Sequence, residues 1–145
     1  MTAPLKHYAI GDLIRYATDL FAAAGMPADR AAVVAELLVE ADAMGHDTHG
    51  LNLAAKYLDH LTSGVMKAMG DVDVVSDRGA TMVWDGDYLS GVWLTWKAIQ
   101  TACDRAADYG TVTISIRRSH HIACLATFLP LATDRNLMIT LASSD

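Results

Sequence analysis

The chain has 145 residues, 52% hydrophobic and 19% charged, with a formal net charge of -6 and a pI near 5.3. That is ample apolar material for a packed core and excludes a disordered tail, while 11 lysines and arginines with no basic cluster beyond Arg117–Arg118 exclude a nucleic-acid backbone as partner. No apolar run approaches the roughly 18 residues of a membrane span, and residues 1–10 lack the apolar stretch of a signal peptide, so no membrane partner and a cytoplasmic protein are expected.

Taken in order, residues 12–24 place Leu13, Ile14, Ala17, Leu20, Phe21 and Ala24 at helical spacing, with Gly25 as the stop. A second helix follows Pro27, with Val33, Val34, Leu37, Leu38 and Ala41 on one face, and ends near Met44. From about Leu51 to Gly64 a third helix is predicted. Its buried stripe is Leu51, Ala54, Ala55, Leu58 and Leu61, which leaves Leu53, Lys56, Tyr57 and His60 on another face. After Gly70 the period changes. Val72 and Val74, then Met82 and Trp84, alternate with polar residues around Ser76-Asp77-Arg78-Gly79 and predict a hairpin, followed by a turn at Asp85-Gly86-Asp87.

A long helix runs from Val92 through Trp96, Ile99, Cys103 and Ala106 to about Tyr109, with Trp93 and Trp96 expected in the core. Residues 111–116 alternate as a strand, 123–134 are helical and 137–142 form a strand, which implies a parallel strand–helix–strand crossover. Cys103 and Cys124 fall in apolar helical patterns without CxxC spacing, so core packing is expected of both.

Two stretches concentrate chemistry. Gly45-His46-Asp47-Thr48-His49-Gly50 sits where two helical patterns meet, and His120-His121 come just past a strand, the position that lines the ligand crevice of parallel α/β sheets. Two readings are open for each. Asp47 or Thr48 can serve only as a helix N-cap, with His46 and His49 on the surface. His120 and His121 can cap and pack the next helix, or both pairs can belong to an active site. No GxGxxG or GxxxxGK[ST] occurs, so an ordinary Rossmann nucleotide site and a P-loop are excluded.

Ala41-Asp42-x-x-Gly45-His46-Asp47-Thr48-His49-Gly50, Asp85-Gly86-Asp87 and Arg117-Arg118-Ser119-His120-His121, in this order, resemble the type-2 malate/L-lactate dehydrogenase family. The resemblance implies an NAD- or NADP-dependent oxidoreductase that interconverts a 2-hydroxy acid and a 2-oxo acid on a non-Rossmann fold. It implies an α/β protein, with a helical region over residues 1–66 followed by the first part of a nicotinamide- and substrate-binding domain over residues 67–145. The family's proteins are much longer, so an N-terminal portion is expected, with a homodimer as the assembly.

Matched residue by residue, Thr48-His49-Gly50 stands at the family's Ser-His-Gly motif, which implies that His49 is the proton donor and Thr48 its hydroxyl neighbour. Arg118-Ser119-His120-His121 stands at an Asn-Ser-x-His segment, putting His121 where ureidoglycolate-type members have a catalytic histidine. Ser144-Asp145 resembles a cofactor-contacting Ser-Asp. Many members carry an arginine where this chain has Leu53.

The chemistry agrees with the resemblance. Reduction of a carbonyl builds negative charge on oxygen, and a group with a pKa near 6.5 donates a proton at neutral pH and takes it back in the oxidative direction. An anionic substrate also needs a fixed cation, expected from Arg118 first, then Arg117 or Lys56, with His120 beside it. Two other classes stay in view. One is a metal site built from His46, His49, His120, His121 and Asp47. The other is an inactive fragment whose helices and open sheet edge serve association.

Overall fold

The computed structural model describes residues 7–144. It opens with two helices, α1 (Ile10–Ala23) and α2 (Ala28–Ala43), which pack together because Ala17 and Phe21 on one and Val34, Leu38 and Ala41 on the other form matching apolar stripes, all buried. Two 3-10 turns, Asp47–His49 and Leu51–Leu53, then lead into α3 (Ala54–Thr62). The predicted third helix therefore begins three residues late as an α-helix.

The buried face of α3 also differs from its apolar spacing. Leu61 is buried as expected, but Ala55 is exposed and Tyr57, assigned to the outer face, is only 1% exposed. Periodicity registers one partner surface, whereas α3 has two: the segment around His121 covers the Tyr57 side.

Strands β1 (Asp73–Asp77) and β2 (Thr81–Asp85) form the predicted hairpin, antiparallel, with a register shift between Val74 and Ser76. That irregularity breaks the two-residue alternation, which is why Val74 faces solvent. Strand β3 (Thr113–Arg117) pairs in parallel with β2, Thr81 opposite Thr113 and Asp85 opposite Arg117, so the order is β1-β2-β3. Parallel neighbours need a long connection, and α4 (Gly91–Tyr109) supplies it. Met82 and Trp84 of β2, with Ile114 and Ile116 of β3, pack on Ala98 of this helix. The crossover is thus β2–α4–β3, one unit earlier in the chain than predicted.

Beyond β3 two expectations fail. The helix predicted over 123–134 is a 3-10 turn at Leu125–Phe128 followed by the short α5 (Pro130–Thr133). Ala123, at φ 56°, leaves the right-handed region, and Pro130 lacks the N–H that a continuous helix would bond to Ala126. Residues 137–142 form no strand: Ile139 and Leu141 pack on the core while Met138 is 96% exposed, so the apolar alternation is met by packing without a ladder.

One apolar cluster joins Phe21, Leu38 and Tyr57 to Leu89, Leu94 and Phe128, so the helical region and the α/β region share a core. Trp93 and Cys124 lie in the interior, and Trp96 and Cys103 pack against it, as their spacing predicts. Among the described residues no helix is long and apolar enough to cross a membrane.

Candidate active site between the α2–α3 loop and the segment after β3

The loop that carries the first motif is tied at its base by Asp42, in the last turn of α2. Its Oδ2 accepts the Leu51 N–H at 2.9 Å, and a side chain on Gly50 would overlap this carboxylate. Glycine is needed here so that backbone can close onto Asp42. The close neighbour that requires glycine at position 50 is Asp42. Neither Asp47 nor Thr48 caps the next helix: the N-cap positions of the two turns and of α3 fall to His46, Gly50 and Leu53, none with a side-chain cap bond. His46, Asp47, Thr48 and His49 all project from the loop exposed. Thr48 Oγ1 lies 2.9 Å from His49 Nδ1.

The second motif reaches the first through a close approach at the start of α4. A Cβ on Gly91 would overlap the His120 carbonyl oxygen, so this glycine allows the segment after β3 to lie against the first turn of α4. Backbone bonds from Gly86 N–H to the Arg117 carbonyl and from Tyr88 N–H to the Arg118 carbonyl, both 2.8 Å, fix the same run. His121 is thereby brought to His49: the two rings stack with centroids 5.9 Å apart and planes 29° from parallel.

Tyr57 completes this group. Its Oη stands 2.8 Å from His121 Nδ1, and the Ala123 N–H donates to the same nitrogen at 3.2 Å. A backbone N–H can only donate, so Nδ1 of His121 is an acceptor and the neutral ring carries its proton on Nε2. Burial pushes the Tyr57 phenol well above the usual tyrosine range, against a smaller opposing effect of its hydrogen bond to the Ala123 backbone, and it stays a neutral donor at any physiological pH.

The other expected site residues are placed elsewhere. Arg118, at φ 50°, puts its Nε 2.8 Å and 2.9 Å from the two oxygens of Asp85, and Arg117 Nε reaches the same carboxylate at 2.9 Å. Asp85 is 2% exposed, and the hydrogen bond from Arg118 holds its pKa at about 2 against the opposing pull of desolvation. The charge of Arg118 is thus already matched at the carboxyl end of β2.

His120 Nε2 lies 2.7 Å from the Val65 carbonyl, which can only accept, and its ring leans on His60 at 5.4 Å. That pins the segment to the end of α3. Lys56 is exposed on α3 and Leu53 packs on the core. Ser144 is exposed at the end of the described residues, and Asp145 lies outside them. Among the described residues no three His, Cys, Asp or Glu side chains converge so as to hold a metal, so the four-histidine site weighed from sequence is not assembled.

Asp42, Tyr57 and Asp85 are the members that spacing alone misses. Asp42 and Asp85 stood inside the quoted motifs, a signal that was available. Tyr57 gave none, since its burial depends on a segment far along the chain.

A loop tied to the end of α2 presents His49, stacked on a second imidazole whose Nδ1 lies against a buried phenol, so groups able to take up and release a proton stand together here. The profile of the malate/L-lactate dehydrogenase family matches residues 8–145, and the chain belongs to that family. It is 35% identical over 116 residues to the L-lactate dehydrogenase of Cupriavidus necator, covering 80% of this chain and 33% of that protein. The solved sulfolactate dehydrogenase of Methanocaldococcus jannaschii matches at a TM-score of 0.84 and 25% identity, over 88% of this chain and 37% of the other. The malate dehydrogenase of Pyrococcus horikoshii has the same fold at a TM-score of 0.86 and 23% identity, over 89% and 37%. The chain therefore spans about a third of the length of the relatives it matches.

Proposed function

We propose that this chain contributes the proton-transfer side of a nicotinamide-dependent oxidoreductase, using NAD or NADP, that interconverts a 2-hydroxy acid and its 2-oxo acid. The observation that carries the reading is the His49–His121 stack, which unites two motifs far apart in sequence. His49 is the group that exchanges a proton with the substrate oxygen. Thr48 suits it in both charge states, because a hydroxyl donates to Nδ1 of the neutral ring, leaving the proton on Nε2, and accepts from Nδ1 of the imidazolium. His121 flanks the same oxygen, and Tyr57 is a positioning residue that sets its tautomer.

For the substrate carboxylate the reading favours Lys56 over Arg118. Lys56 is exposed on α3 beside Tyr57, whereas Arg118 is engaged by Asp85. A dinucleotide needs a cleft of several hundred Å³; two cavities among the described residues, of about 10 and 150 Å³, are smaller than that and are not lined by His49, His121 or Ser144. What these residues do is hold, orient and move a proton.

The test is kcat against pH, with lactate, malate and sulfolactate and with each nucleotide, on protein expressed from its complete reading frame. His49→Ala is expected to lose about 10²- to 10⁴-fold in kcat, with the limb of the pH profile that it supplies, while His46→Ala keeps turnover per folded molecule. Lys56→Ala should raise KM more than Arg118→Ala does. A His49→Ala enzyme with wild-type kcat and pH profile would overturn the assignment of His49, and no oxidation of any 2-hydroxy acid would overturn the reaction.

A further inference from the structure

The start of α4 holds buried polar atoms with no partner. Ser90, at the N-cap, is 4% exposed and its Oγ makes no hydrogen bond; Nη1 of Arg30, on α2, is buried and equally unpartnered. Both residues line one niche of about 10 Å³, together with Lys67, Trp93, Met26 and Leu89. An N-cap serine ordinarily turns its hydroxyl onto a backbone N–H of the first turn. Ser90 makes no such bond, so the opening turn of this 19-residue helix keeps its N–H groups without a side-chain acceptor, and Trp93 of that turn lines the same niche.

The surroundings are cationic in a chain whose net charge is -6. Arg30 lies over the Trp93 indole at 3.9 Å, which fixes the guanidinium, and Lys97 stands 5.0 Å from the same ring. Lys67 is paired with Asp87 and Lys97 with Asp71, so three cations face two carboxylates. An arginine Nη can only donate, and whatever fills the niche must therefore accept. The space takes one water-sized atom, so a compact single-atom acceptor fits it. The positive end of the helix dipole and the Arg30 charge both favour an anionic acceptor there.

We propose that this niche is a binding site for a monatomic inorganic anion, chloride, held by Arg30 Nη1, Ser90 Oγ and the first-turn N–H groups of α4. The bound ion ties α2 to α4 beside Gly91, the residue against which the His120–His121 segment rests. The proposal is independent of the dehydrogenase reading.

Two measurements test it. In crystals grown with bromide replacing chloride, an anomalous peak is expected between Arg30 and Ser90. In solution the Tm should be about 3 to 6 °C higher in potassium chloride than in potassium gluconate of equal ionic strength, and Ser90→Ala and Arg30→Met should each remove that difference. Absence of a bromide peak from the niche, or an unchanged chloride increment in both variants, would mean that it holds only water and would overturn the proposal; the bromide measurement uses the unaltered chain and does not depend on the variants folding.

Discussion

At the scale of single residues, the Tyr57 phenol and the hydrogen atom of Gly50 carry more than their sequence contexts suggest. Replacing Tyr57 by Phe keeps the buried ring and deletes the hydroxyl, whose shortest contact is with His121 Nδ1. Loss of one orienting hydrogen bond is worth about 1 kcal/mol, so kcat of the full-length enzyme should fall about 5- to 10-fold while Tm drops by only a few degrees. A Tyr57→Phe enzyme at wild-type kcat would leave the phenol as core filling alone. Gly50→Ala acts by a different route, because the added methyl overlaps the Asp42 carboxylate. Displacing that carboxylate also releases the Leu51 N–H, and a loss of about 2 kcal/mol or more in denaturant unfolding is expected. Gly11→Ala is the control: its methyl meets nothing within 4 Å and sits in α1, so it should stabilise by up to about 1 kcal/mol.

At the scale of elements, the carboxyl ends of β2 and β3 are joined by the Asp85 clamp on Arg117 and Arg118, and the β1–β2 hairpin is joined to α4 by Asp77 on Arg105 at 2.7 Å. The hydrogen bond from Arg118 lowers the Asp85 pKa from 3.8 to about 2, and that from Arg105, helped by the Gly79 N–H, lowers Asp77 likewise. A carboxylate whose folded pKa is depressed adds stability that is fully present above the unfolded value and is lost as protons bind through the folded one. The contribution of these two carboxylates should therefore be constant well above pH 4 and be lost as pH falls from about 4 to 2. Thermal melts across that range should show a flatter pH dependence for Asp85→Asn, with lower Tm at neutral pH. Parallel slopes for the two proteins would remove the clamp from the account of acid sensitivity.

At the scale of the whole molecule, several large apolar side chains are exposed. Met138 is 96% exposed, Met69 67% and Val65 55%, and among the described residues β3 is paired on one side only. We expect the 145-residue chain to self-associate, by sedimentation at micromolar concentration, and to bind a hydrophobic dye; a monomer that binds none would show that these side chains are individually tolerated. The sequence by itself determined the two opening helices, the hairpin, α4 and the histidine motifs, because apolar period, glycine stops and short-range motifs are local properties of the chain. Only the tertiary structure decided that the crossover runs through α4, that residues 137–142 pair with nothing as a strand, and that Tyr57 turns inward. It also decided that His121 stacks on His49 while His120 is drawn to Val65 and Arg118 to Asp85. The physical reason is the same in each case: which face is buried, and which charge is already matched, depends on a partner that arrives from a distant part of the chain, and no local pattern encodes it.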